Sequence, residues 1–272
     1  MKLADALSYV LVLLLIISCF LFPVAFVIWT SLRSHGAIVS GLILSTDYTL
    51  EHYYNVLFMP GYAFTKAFTN SLITSIVSTI LTVVISFPAA YSIARFKTGG
   101  GTLSSSILLI RLLPPMVFAI PISVLFQVAN MRDTLLALIL VYTAFNAPLD
   151  IFVLKSFIEE IPIELEEAAI VDGCSRLQLI RYVTLPVSSP GIIATAILTF
   201  IACWSEYPFA LLLTIRHAVT INVVASQFVT QAVVKYGEIA SAVVIGMVPT
   251  ILFVMLVQKH LVKGLTLGAV KG

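Results

Sequence analysis

"IPIELEEAAIVDGCSRLQLIRYVTLP", residues 161–186, is a polar stretch in an otherwise apolar chain. Glu164, Glu166, Glu167 and Asp172 fall within nine positions, and Glu159 and Glu160 stand just before them. Pro162 suits the first turn of a helix, and the glutamates sit near the positive N-terminal end of that helix. Ala168 and Ala169 favour helix and add little bulk. Gly173 supplies the positive φ that ends it. Ser175 caps a second short helix over about 176–183, and Pro186 stops that one. The result is a helix–glycine–helix elbow with a small-residue surface suited to close docking. On these residues alone, the alternative is a solvated loop whose charges only keep it out of lipid.

The surrounding chain says what the elbow is attached to. Of 272 residues, 60% are hydrophobic and 10% are charged, with a mean hydropathy of +1.09. A soluble domain carries about 25% charged residues, so the solvent for most of this chain is lipid. A net charge of +2 and the lack of any basic run exclude nucleic acid as a partner. Cys19, Cys174 and Cys203 are too few and too scattered for a disulfide framework.

A membrane span needs about 20 mostly apolar residues. Six stretches qualify, at about 7–32, 71–93, 103–128, 134–157, 191–214 and 239–261. The first is too long for a signal-peptide core and is followed by no small-residue cleavage site. Lysine and arginine in the connections set the orientation. With the N-terminus inside, nine lie on the cytoplasmic side: Lys2, Arg95, Lys97, Lys155, Arg176, Arg181, Lys259, Lys263 and Lys271. Five lie outside: Arg33, Lys66, Arg132, Arg216 and Lys235. Both termini are therefore expected inside, with residues 158–189 facing the cytoplasm. The expected fold is an all-α integral membrane protein of six spans, one transmembrane domain over 1–272, carrying a cytoplasmic helix-turn-helix elbow. Proline punctuates the spans, and "RLLPPMVFAIP" in the third points to a broken helix.

"EAAIVDG", nine residues, then "VTLP" resembles the EAA signature of the inner-membrane permeases of ABC importers. Glu167, Ala168, Ala169, Gly173, Leu185 and Pro186 match that pattern, and Val183 stands where the family has isoleucine. "SFIEEIPIELEEAAIVDGCS", "FIACWSEYPFALLLT" and the ending "LVKGLTLGAVKG" are similar to the carbohydrate-uptake group, the maltose-type G subunit family in particular. Ser205 and Tyr207 depart from that group's Trp-Asn-Glu-Phe. The resemblance implies alternating access in the cytoplasmic membrane. It also implies a second, related permease, a dimer of ATPase subunits that bind ATP and Mg, and an extracytoplasmic solute-binding protein. It makes the elbow a coupling helix, with Glu166, Glu167, Ala168, Ala169, Asp172, Gly173, Leu185 and Pro186 as ATPase-coupling residues. The tail, with Gly264, Gly268 and Lys271, would reach toward the ATPase; otherwise it is a frayed terminus.

Other residues carry weaker signals. Trp204, Glu206 and Tyr207 fall midway along the fifth span and Asn146 in the fourth. An aromatic face stacks on sugar and a carboxylate accepts hydroxyls, which fits a solute path; the competing use is packing between helices. Arg111 and Asp150 are ionisable residues inside spans, at a depth of roughly 10 Å each. They either pair with each other, or Arg111 snorkels and Asp150 faces water. "KTGGGTLSS" from Lys97 fails the phosphate-loop pattern and reads as a turn. His35, His52, His217 and His260 lack metal-ligand spacing. No nucleophile–histidine–acid set stands out, so no enzyme activity and no cofactor are expected in this chain. Residues 33–70, rich in Tyr, His and Asn, form either a contact surface for the binding protein or an ordinary structured loop. The rival functions are a permease for a non-sugar solute such as a polyamine or phosphate, and an ion-coupled secondary transporter. The second commonly shows inverted repeats, and no repeat stands out in this chain.

Overall fold

The computed structural model describes residues 2–41, 47–59, 61, 63–229 and 234–268, without the side chains of 2–12, 14, 104, 105, 108, 110–112 and 258–268. Among the described residues the regular structure is helical, apart from two isolated bridges, Arg33 with Tyr48 and Val229 with Val234. In order the helices are α1 (Lys2–Ser31), α2 (His35–Val39), α3 (Glu51–Phe58), α4 (Phe64–Phe96), α5 (Gly100–Leu112), α6 (Pro115–Val128), α7 (Leu135–Glu159) and α8 (Ile163–Val171). Then come α9 (Arg176–Leu179), a π-helical turn (Ile180–Thr184), α10 (Leu185–Val187), α11 (Ser189–Trp204), α12 (Pro208–Leu213), α13 (Ile221–Ser226) and α14 (Tyr236–Gly268).

Three of these are long and apolar enough to cross a membrane: Phe64–Phe96, Leu135–Glu159 and Tyr236–Val257. The pair Arg176–Val187 and Ser189–Trp204, bent by 72°, makes a fourth if taken as one span. Leu15–Ser31 and Pro115–Val128 are shorter apolar helices. All six expected stretches hold helix, but two are interrupted. The third breaks at Leu113–Pro114, as its prolines foretell, since Pro115 fits a first turn and cannot continue α5. The fifth, expected over 191–214, contains Pro208. It stops at Trp204 and restarts at Pro208, for the same reason. Pro88, Pro148 and Pro249 lie inside helices that continue past them.

The chain divides into two compact units, Met1–Lys66 with Val224–Val248, and Ala67–Val223 with Pro249–Gly272. In the second, α6, α7, α11 and α12 enclose a core of Leu138, Val141, Tyr142, Cys203, Phe209, Ala210 and Leu213. A second cluster joins Phe87, Ala90, Tyr91 and Ala94 of α4 to Leu154 and Ile158 of α7. Above it, α4 buries a polar face: Asn70, Ser71, Thr74, Ser75, Ser78, Thr79, Thr82 and Ser86. Thr74, Thr79 and Thr82 each donate to the carbonyl four residues back, at 2.8, 2.7 and 2.6 Å. Ser78 and Ser86 donate across to the carbonyls of Ile139 and Ala147 on α7, both at 3.4 Å. Small hydroxylated residues let two helices approach closely while most of the hydroxyls find a carbonyl acceptor; the buried Ser75 hydroxyl is an exception. Gly191 serves the same end on α11, because a Cβ there would collide with the Phe157 ring of α7.

Candidate coupling elbow and solute-path cavity

The elbow folds as its residues dictate. Pro162 is the N-cap of α8 rather than a first-turn residue, and Glu164 and Glu166 lie in the first turn. Gly173 ends the helix at φ +89°. Its N–H donates to Ile170 O at 3.0 Å, and that of Cys174 donates to Ala169 O at 3.0 Å, the two bonds of a Schellman turn. A Cβ on Gly173 would meet nothing within 4 Å, so backbone conformation and not crowding selects glycine here. Ser175 and Gln178 form a reciprocal capping box at the start of α9.

Pro186 does not stop the second arm. Helical backbone continues to Val187 through the π turn at Ile180–Thr184. A proline ring clashes with the carbonyl four residues back, here that of Tyr182, and the wider π turn contains that residue. The chain turns instead at Ser188, just ahead of Pro190 in the first turn of α11.

The two adjacent glutamates differ in burial. Glu167 is exposed, as are Ala168, Asp172, Gly173, Leu185 and Pro186, while Ala169 is half-buried. Val171, 85% exposed, and Leu177, 75%, flank the turn with apolar surface. Glu166 is buried. Its Oε1 lies 3.1 Å from Arg95 Nε and accepts the Thr184 hydroxyl at 3.0 Å, and its Oε2 accepts the Tyr91 hydroxyl at 3.2 Å. Arg95 also donates to Ile161 O at 2.9 Å. One carboxylate thus ties the elbow to the end of α4 and to the π turn. Arg176 adds a second tie, its guanidinium 5.2 Å from the centre of the Phe96 ring.

The solute-path candidates separate into two pairs. Asn146 and Glu206 line a cavity of about 260 Å³, together with Pro115, Tyr142, Phe145, Ala202 and Phe209. Trp204 is buried among aromatics instead, stacked on Phe200 and edge-on to Phe68. Tyr207 packs on the core beside Phe209. Glu206 accepts the N–H groups of Phe209 and Ala210 at 2.7 and 3.1 Å, capping α12. Asn222 donates to the carbonyls of Trp204 and Glu206 at 2.8 and 3.0 Å, closing the other side of the break. Irregular backbone at membrane depth requires such partners, or a cavity to line. Asn146 donates to Tyr142 O at 2.8 Å and to Cys203 Sγ at 3.4 Å.

Asp150 accepts the Thr199 hydroxyl at 2.6 Å. The side chain of Arg111 lies outside the described residues. Gly264 and Gly268 continue α14, and Lys271 lies outside the described residues. Among the described residues no cluster of His, Cys, Asp and Glu could hold a metal ion.

Asp133 drew no attention as sequence, yet it holds two loops together. Its carboxylate accepts the successive N–H groups of Ile215, Arg216, His217 and Ala218, at 2.9–3.1 Å. Burial pushes its pKa up, but the four backbone donors outweigh it and hold the group at about 2, below its ordinary 3.8. A depressed carboxylate stabilises the fold above its unfolded pKa, and that contribution is lost as pH falls through the folded value. Tethering by Asp133 is expected to persist down to about pH 4 and to disappear toward pH 2. Asp133→Ala should cost about 1–2 kcal/mol at pH 7, the group being partly screened by water. Thermal unfolding of the two proteins at pH 7 and pH 3 checks this, since their difference should shrink at the lower pH.

Comparison with known proteins places this geometry. Residues 82–267 match the family described as "Binding-protein-dependent transport system inner membrane component". The trehalose transport system permease protein SugB of Mycobacterium tuberculosis is 34% identical over 262 residues, covering 95% of each chain. The trehalose/maltose transport system permease protein MalG of Thermococcus litoralis is 33% identical over 275 residues, covering 96% of this chain and 94% of that one. A crystal structure of a bacterial ABC transporter for alginate import shares the fold, with a TM-score of 0.77 at 19% identity over 93% of this chain and 95% of its own. The chain accordingly belongs to the inner membrane components of binding-protein-dependent transport systems, as a multi-pass permease subunit and not the ATP-hydrolysing one.

Proposed function

We propose that this permease carries a sugar or oligosaccharide inward by alternating access. On this reading it spans the membrane six times as one permease domain, with both termini in the cytoplasm, and pairs with a second permease. The elbow around Glu167–Gly173 seats on an ATPase dimer that binds ATP and Mg. Closure of that dimer moves the elbow and opens the cavity outward to receive solute from the binding protein, and hydrolysis resets it. The observation that carries the sugar reading is the helix break at Trp204–Tyr207, which sets Glu206 beside Asn146 on an aromatic-walled cavity. Hydroxyl-rich solutes suit a site of a few polar groups set among aromatic faces. Its volume of about 260 Å³ is small for a complete site, which accords with a second permease supplying the other wall. The relatives named for trehalose and maltose support the solute class.

The test is purification from the native membrane in mild detergent, followed by reconstitution. A second permease and an ATPase should co-purify, and binding protein loaded with trehalose or maltose should stimulate ATP hydrolysis and uptake. A chain that comes alone and transports by itself would sink the proposal. Asn146→Ala should raise the KM for sugar about fivefold through loss of one polar contact worth about 1 kcal/mol, with assembly intact. An unchanged KM removes Asn146 from the path.

A further inference from the structure

The short helix α3 is fastened to the C-terminal end of α1. The Tyr53 and Ser31 hydroxyls lie 2.7 Å apart, and a ring nitrogen of His52 lies 2.9 Å from Arg33 O. These bonds reach the last residue of α1 and the residues just after it, so α3 sits at the level where that helix ends. The described surface of α1 below this point is apolar and exposed, including Leu15, Ile17, Leu21, Phe22 and Phe26. Aromatic contacts continue up it, from Phe22 to Phe26 to Trp29, and the Arg33 guanidinium covers the Trp29 ring at 4.4 Å. An aromatic ladder ending in a tryptophan is what a helix presents where hydrocarbon gives way to headgroups.

α3 has two faces. His52 and Val56, one turn apart, are buried. The opposite face carries Leu50, Tyr54 and Phe58, all exposed, with the last two rings 5.3 Å apart. Met59 extends it, and Glu51 stands at its edge. A helix in water has no reason to expose this row, whereas a helix lying in the boundary layer does.

We infer that α3 is an interfacial helix, lying in the headgroup layer of the bilayer with Tyr54 and Phe58 turned to lipid. The occupant of this face is lipid rather than protein because α3 is bonded to the chain at Ser31 and Arg33, the level where the exposed apolar surface of α1 ends beside Trp29. The function of α3 is then to hold the C-terminal end of α1 at a fixed depth.

The test uses the assembled transporter in lipid nanodiscs. Spin labels are placed on Tyr54→Cys and Phe58→Cys in a background with Cys19 and Cys174 replaced by serine. Cys203 is buried and stays. Both labelled positions are exposed, so the packing of His52 and Val56 is untouched. Leu21→Cys serves as the lipid control and Arg132→Cys as the aqueous one. Labels at 54 and 58 should relax several-fold faster with nickel chelated on lipid headgroups than with soluble nickel chelate, and the label at 132 should show the reverse. Three results overturn the inference. The labels at 54 and 58 behave like that at 132; or they become shielded only when binding protein is added; or they are shielded equally in detergent and bilayer, the mark of a covering protein.

Discussion

Replacing Glu166 by alanine is expected to destabilise the permease by about 3–5 kcal/mol, because it leaves the Arg95 guanidinium buried without its counter-charge. The Tyr91 and Thr184 hydroxyls lose their acceptor in the same step. A loss of this size is a large part of the stability of an ordinary domain. Thermal unfolding of the detergent-solubilised complex measures it. Glu166→Gln keeps an acceptor while removing the charge, and should fall between alanine and the parent. Glu167→Ala, one residue along and exposed, should leave the unfolding temperature unchanged while lowering the coupling of ATP hydrolysis to transport. Equal unfolding temperatures for Glu166→Ala and the parent would show that the clamp holds nothing.

Gly173→Pro should lower coupled uptake about a hundredfold or more while the chain still inserts. Proline requires φ near −65°, against the +89° found here, and removes the N–H that bonds Ile170 O. The two losses exceed about 3 kcal/mol, enough to depopulate the turn by two orders of magnitude. ATP hydrolysis should continue without transport. Gly173→Asn is the control. Asparagine tolerates the left-handed region at a smaller cost, and its Cβ meets open space. It should retain much of the activity. Normal uptake by the proline variant would end the coupling role of the turn, and equal failure of both variants would point to a requirement other than backbone conformation.

The parts legible in the sequence were those whose causes are local. Gly173, Ser175 and the break at Pro114 each depend on neighbours within one turn, so residue type and spacing suffice. The distinction between Glu166 and Glu167 is not local. Adjacent residues on a helix point about 100° apart, and only the position of Arg95 decides which of the two turns inward. Asp133 and Asn222 stayed invisible for the same reason. Asp133 binds N–H groups 82 to 85 residues away, and main-chain donors leave no mark in the composition. Asn70, which donates to the carbonyls of His217 and Val219, is a further case. The break in the fifth span is legible only in part: Pro208 marks it, but Asn222, which satisfies the freed carbonyls of Trp204 and Glu206, comes from another segment.

The clasp at Asp133 has a mechanical corollary. It rivets the hairpin between α6 and α7 to the strap that follows α12, and Asp133 N–H donates to Leu213 O at 2.8 Å beside it. Pinned at one point, α6, α7 and α12 are expected to move together in the proposed alternating access. The joints of that movement are then expected where the backbone is already interrupted, at Leu113–Pro114 and between Trp204 and Pro208. A pair of distance labels across the rivet should therefore read the same in every nucleotide state, while a pair spanning either joint should not.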